Sequence, residues 1–194
     1  MAANVEKINQ LSAWCWAQLC RATNDRHSEF RWVNLATLDS DGLPQVRTVV
    51  LREVAPTEQR VSFHTDVRST KITELTTHNW VALHFHSRRL GVQMRMAGRA
   101  EFASDEHRRS AWQSLHEGAK ITYAQREVPG AKISDPTQLL LDTASTTEDG
   151  YPNFVLVHVS IASIDWLELK RCGHRRALLI YQSDDEHTAT WLAP

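Results

Sequence analysis

Glycine is scarce in this 194-residue sequence, and none of its 7 glycines falls in a GxGxxG, GxxxxGK[ST] or GxSxG pattern. The common glycine loops for nucleotides and the nucleophile elbow of hydrolases are therefore excluded. Cysteine is limited to Cys15, Cys20 and Cys172, an odd count that argues against a disulfide framework. Neither sign of charge dominates: 22 Lys and Arg face 23 Asp and Glu. Without a global field, nucleic acid and anionic membranes are not expected partners, and any anion site must be local. Apolar runs such as residues 177–180 are far too short to cross a bilayer. The opening Met-Ala-Ala-Asn-Val-Glu-Lys lacks the basic start and apolar stretch of an export signal, so a cytoplasmic location is expected.

What is present is the composition of an ordinary globular domain, 42% hydrophobic and 23% charged, read as a single domain over residues 1–194. Ile8, Leu11, Trp14, Cys15 and Leu19 have helical spacing, predicting a helix over about 6–21. The pattern then turns to period two. Strands are predicted over 32–38 and 45–54, joined by the turn residues Asp39-Ser40-Asp41-Gly42, and over 61–65. Ser69 stands where a helix cap belongs, ahead of a helix to about His78. Strands follow over 80–86 and 92–102, then a helix capped by Ser104 and running to about His116. Residues 117–151 read as irregular, with at most a short helix near Gln138, before closing strands over 154–161, 163–169 and 176–182. Many short strands with helices inserted irregularly predict a mainly β fold with flanking helices, an antiparallel barrel over about 30–182.

Three segments have the residue types of an anion or ring-binding site. Arg47-Thr48-Val49-Val50-Leu51-Arg52 is a strand with a guanidinium at each end, suited to phosphate, or an exposed strand with solubilising arginines. Alternation puts Arg47 and Arg52 on opposite faces unless a bulge intervenes. Thr65 to Lys71 ends a strand and opens a helix with hydroxyls and cations; Arg68 or Lys71 supplies charge, and Thr65, Ser69 or Thr70 supplies donors. A plain serine cap with solvated cations fits equally well. Gln93 carries a carboxamide that can donate and accept at a ring edge.

In order, the chain shows Arg47-x-Val49-x-Leu51-Arg52, Phe63-His64-Thr65-Asp66, Ser69-x-Lys71, Gln93 with Gly98, and Trp166 with Arg176 ten residues on. This ordered set, from about residue 30 to 181, resembles the FMN-binding framework of the pyridoxamine 5'-phosphate oxidases. The resemblance implies an FMN-binding split β-barrel. Arg47 and Lys71 would contact the FMN phosphate, aided by Thr65 and Ser69, with Thr70 standing where the family has an arginine. The backbone of Thr48, Val49 and Val50 would lie against the isoalloxazine ring, and Arg52 takes the place of a lysine. Gln93, Trp166 and Arg176 would reach the flavin from the second subunit of a homodimer. His174, by family position, is the acid–base candidate.

Departures fall mainly on the substrate side. Cys172 replaces the first arginine of the family's Arg-Leu-His-Asp-Arg run; near the FMN phosphate, His64 replaces a tyrosine as Thr70 replaces an arginine. The family's substrate-phosphate Tyr and Arg have no clear counterparts over 111–115. The reading is thus a flavin-dependent oxidoreductase on an unidentified small molecule. A non-catalytic carrier of flavin or haem with the same fold is the alternative. His84 and His86 share a strand face, and with His64, His158 or His174 they raise the idea of a metal site. Structural histidines explain them as well, so no metal is expected.

Overall fold

The computed structural model describes residues 7–137, 147–182 and 187–194. The short helix suggested near Gln138 lies outside the described residues. Among those described, no helix is long and apolar enough to cross a membrane.

The alternating runs form strands as the period-two pattern requires. Strand β1 (Trp32–Leu38) buries Val33, Leu35 and Thr37 and turns Trp32 and Asn34 outward. Asp39 closes the following turn by accepting from the N–H groups of Asp41 and Leu43 at 3.0 and 2.9 Å, with Gly42 at a φ of 78°. β2 (Pro44–Ala55) and β3 (Arg60–Asp66) continue the meander. Then come β4 (Trp80–Ser87), β5 (Val92–Phe102), β6 (Phe154–Glu168), β7 (Arg175–Tyr181) and β8 (His187–Leu192).

Spatially the order is β3-β2-β1-β4-β5-β6, and β6 pairs back to β3 to close a six-stranded antiparallel barrel. One edge of β6 serves two partners. Its first half, to Ser160, pairs with β3, and its second half, from Ser163, pairs with β7. There the wall parts into the closed ring and an outer β7–β8 extension.

β6 corrects the expected pair of closing strands. It is one strand of 15 residues with a bulge at Ala162, where the β5 register jumps from Ala97↔Ser163 to Gly98↔Ile161. Val157, Val159 and Ile161 are buried before the bulge, and Ile164, Trp166 and Glu168 after it, so the buried parity changes from odd to even. β8, largely exposed and only half apolar, lies beyond the strands expected from the sequence.

α1 (Leu11–Asn24) sets Leu11, Cys15, Trp16, Leu19 and Ala22 into the main core. α3 (Asp105–Gln113) is capped as expected, Ser104 Oγ accepting from the His107 N–H, but stops short of His116. It covers β6 from outside through Ala111 and Trp112 on Phe154 and Leu156, and α4 (Glu117–Lys120) follows it. The outward face of β1, β2, β4 and β5 has large apolar groups in the open: Trp32 is 59% exposed, Val46 68% and Trp80 50%.

Candidate functional site

The start of α2 (Thr70–Thr77) gathers the first set of expected residues. Ser69 holds the N-cap position, yet its hydroxyl caps no helix N–H. It accepts instead from Lys71 Nζ at 2.9 Å, while Thr65 Oγ1, on the end of β3, accepts from the same ammonium at 3.0 Å. Burial lowers the Lys71 pKa; the positive charge of Arg47 lowers it further, and Glu74 and Asp66 oppose the shift. Arg47, Lys71, Thr65 and Ser69 therefore form one cluster. Arg68, the other candidate cation, is committed elsewhere: it forks onto the Asp66 carboxylate at 2.7 and 3.0 Å and donates to the Gln125 carbonyl.

Sequence reasoning missed Glu74. Only 7% exposed, it accepts from Arg47 Nη2 at 2.6 Å and from the Thr37 hydroxyl, which also accepts from Arg47. The available signal was its position three residues after Lys71 on a short helix, which puts both on one face. Thr70 is exposed and, with Thr73, Glu74, Asp39, Ser40 and Gln45, lines a cleft of about 430 Å³ beside the β1–β2 turn.

From here the outward face of the sheet leads to the second set. Thr48 is exposed and donates to Asn34 Oδ1 at 3.1 Å, Val50 is half-buried opposite Trp32, and Val49 points into the core. Register partners continue across the strands from Asn34 to His84, Arg95 and Asp165. Two residues along β5, Gln93 pairs with Leu167, which pairs in turn with Arg176. Arg176 is fixed by a fork onto Asp165 at 2.7 and 3.0 Å, an arrangement that lowers the Asp165 pKa. Gln93 and Arg176 thus lie together on one face. Within the chain β1 and β4 separate them from Arg47.

Three residues lie apart from both sets. Trp166 is fully buried within its own chain, edge-on to Trp14, with Trp191 and the Arg175 guanidinium against it, so its ring backs the Gln93–Arg176 face without reaching it. His174 is exposed in the turn before β7, where its Nδ1 accepts from the Lys170 N–H at 3.2 Å. Arg52 is the bulge residue of β2, between Leu51↔Phe63 and Glu53↔Ser62, and does not join Arg47.

Arg52 lines a separate cavity of about 220 Å³ with His64, Ser114, Leu115 and His116. Arg52 Nε and His64 Nδ1 are both buried with no partner among the described residues. Burial, then the charge of Arg52, pushes His64 down to about 3. Tyr123, a second residue the sequence did not single out, is electrostatically coupled to Arg52, and burial pushes its phenol up to about 12.

A closed six-stranded barrel whose helix-start cation cluster sits beside an open sheet face defines the split-barrel flavoprotein class. The family model "Pyridoxamine 5'-phosphate oxidase, FMN-binding domain" matches residues 13–104. The pyridoxine/pyridoxamine 5'-phosphate oxidase of Brucella anthropi is 38% identical over 89 residues, 46% of this chain and 43% of that one. That of Allorhizobium ampelinum is 35% identical over 116 residues, covering 60% and 53%. The chain spans about half the length of these curated relatives. Among solved structures, a pyridoxamine 5'-phosphate oxidase-related, FMN binding protein from Nostoc punctiforme aligns over 93% of this chain and 96% of its own, with TM-score 0.78 and 24% identity. PhzG from Burkholderia lata, in complex with tetrahydrophenazine-1-carboxylic acid, aligns over 96% and 92% with TM-score 0.74 and 20% identity. At these identities the structural likeness speaks for the fold. Residues 13–104 are thus similar to the FMN-binding domain of the pyridoxamine 5'-phosphate oxidases, and the whole chain shares the split-barrel fold of their FMN-binding relatives.

The residues present fit that cofactor. A partly buried ammonium held by two hydroxyls next to a guanidinium suits a terminal phosphate. Glu74 holds Arg47 in place and offsets its charge.

Proposed function

We propose that this chain binds FMN and works as a flavin-dependent oxidoreductase on a small molecule. The observation that carries the reading is the Lys71 ammonium on Thr65 and Ser69, with Arg47 beside it. Bound FMN supplies hydride and electron transfer, and the protein supplies position and electrostatics. Lys71, Arg47, Thr65, Ser69 and Thr70 hold the phosphate end. The strand around Thr48–Val50 offers its backbone to the ring. Gln93 and Arg176 of a second copy complete the site across the open sheet face, making the working unit a homodimer. The unpartnered Arg52 and His64 atoms support a reading in which the substrate enters their cavity and carries an anionic group.

An absorption spectrum of the purified protein, followed by titration with FMN, riboflavin and haem, tests this. The expected result is a flavin spectrum and preference for FMN. A haem spectrum, or FMN binding without reduction by any small-molecule donor under anaerobic screening, favours the carrier alternative.

A further inference from the structure

Beyond the flavin-side residues, titratable groups converge on the outer wall of the barrel, where β3 and β6 pair beneath the first turn of α3. Ser62 and His158 are cross-strand partners, both buried, with Ser62 Oγ 2.8 Å from His158 Nδ1. That contact aims His158 Nε2 at His107 Nδ1, 3.1 Å away. The Ser104 cap fixes the backbone N–H of His107, and Glu53 Oε2, next to the β2 bulge, lies 3.0 Å from His107 Nε2. One ligand atom from each of Glu53, His107 and His158 lies within 4.8 Å of the other two.

We propose that Glu53, His107 and His158 bind a divalent transition-metal ion of the zinc type, a site separate from the Arg47–Lys71 cluster. Two imidazoles and a carboxylate are the donors such ions select, and they leave further coordination positions for water. With metal–nitrogen bonds of about 2.0–2.1 Å, tetrahedral neighbours stand roughly 3.3–3.4 Å apart. The 3.1 Å between the two imidazole nitrogens is already close to that. The remaining adjustment falls on the Glu53 and His107 side chains, each 34% exposed, which also gives the ion a path in.

The surroundings suit a metal ligand. Ser62 is the hydrogen-bond partner a ligating histidine needs on its other nitrogen, so His158 Nδ1–H donates to Oγ and Nε2 is free to ligate. Arg60 is a nearby cation opposing the ion; it pairs with Glu58 at 2.8 Å, and Glu101 stands opposite His158 in the β5 register. Three separate elements supply the ligands, so the folded barrel brings them together before any ion binds.

Competition of the full-length protein against a chromophoric zinc indicator, with Co²⁺ as a spectroscopic probe, tests the site. One ion per chain is expected, with Co²⁺ bands of a low-coordinate nitrogen and oxygen site. His107→Ala and Glu53→Gln, both at half-exposed positions, should lose the Co²⁺ bands, and Ser62→Ala should weaken zinc by about 10–100-fold. Replacing both His84 and His86 by Ala should change nothing. Failure of the wild-type protein to compete with the indicator overturns the proposal. So does a wild-type Co²⁺ spectrum in either ligand variant, or loss of binding only when His84 and His86 are removed.

Discussion

Lys71 and His64 show how burial gives two ordinary side chains particular tasks. Each charge-assisted bond from an ammonium to phosphate is worth roughly 1.5–3 kcal/mol. Lys71→Ala should therefore weaken FMN by roughly 10- to 100-fold in a fluorescence titration, while riboflavin, lacking the phosphate, should change little. Equal losses for the two ligands would remove Lys71 from the phosphate. His64 contributes to loss of stability in acid. Unfolded it takes up a proton near 6.5, whereas folded it stays neutral until about 3. Between those values the unfolded chain binds more protons, so stability falls as pH falls, by up to about 1.4 kcal/mol per unit. His64→Phe, which keeps an aromatic edge toward Phe154, should melt with a smaller difference between pH 6.5 and pH 4.5 than wild type. An unchanged difference would count against the neutral, buried imidazole.

At the scale of elements, the crossing of β5 and β6 is the tightest place in the barrel. A Cβ on Gly98 would sit 2.3 Å from the Ser160 carbonyl oxygen and 3.1 Å from Ile161 Cα, both backbone atoms that cannot swing aside. Gly98→Ala should lose roughly 1–3 kcal/mol in urea unfolding, and wild-type stability would mean the bulge can relax. The same bulge marks where the sequence stopped being legible. β1, β4 and β5 kept a regular alternation, and the bounds of β1 to β5 were readable to within a residue or two. Across Ala162 the alternation slips by one, so a continuous strand reads as two. β8 pairs through its backbone with little apolar burial, and period two had nothing to reveal. In the candidate site, the Lys71 cluster was legible because its donors are close in sequence. Glu74 and Tyr123 were not, because they meet Arg47 and Arg52 only through the packing of helix and loop on the barrel.

For the whole molecule, the exposed Trp32, Val46 and Trp80 and the separation of Gln93 and Arg176 from Arg47 point the same way. Light scattering should find a homodimer, and a monomer that holds FMN tightly would overturn the shared site. Pyridoxamine 5'-phosphate should be turned over poorly. By the family resemblance Cys172 stands where one substrate clamp is expected, and a lost charged hydrogen bond costs roughly one to two powers of ten in kcat/KM. Aerobic assay of FMN-loaded protein for pyridoxal 5'-phosphate and peroxide checks this, and efficient turnover would overturn the reading that the clamp is lost.

The closing pair of the ring, β3 with β6, joins residues as far apart as Ser62 and His158, 96 positions along the chain. Contacts of such separation form late, and until they do β3 presents a bare row of backbone donors and acceptors. During synthesis the first five strands emerge well before β6, and together they make an open ribbon. A ribosome stalled in that interval releases a ribbon with an adhesive edge in place of a smaller folded protein.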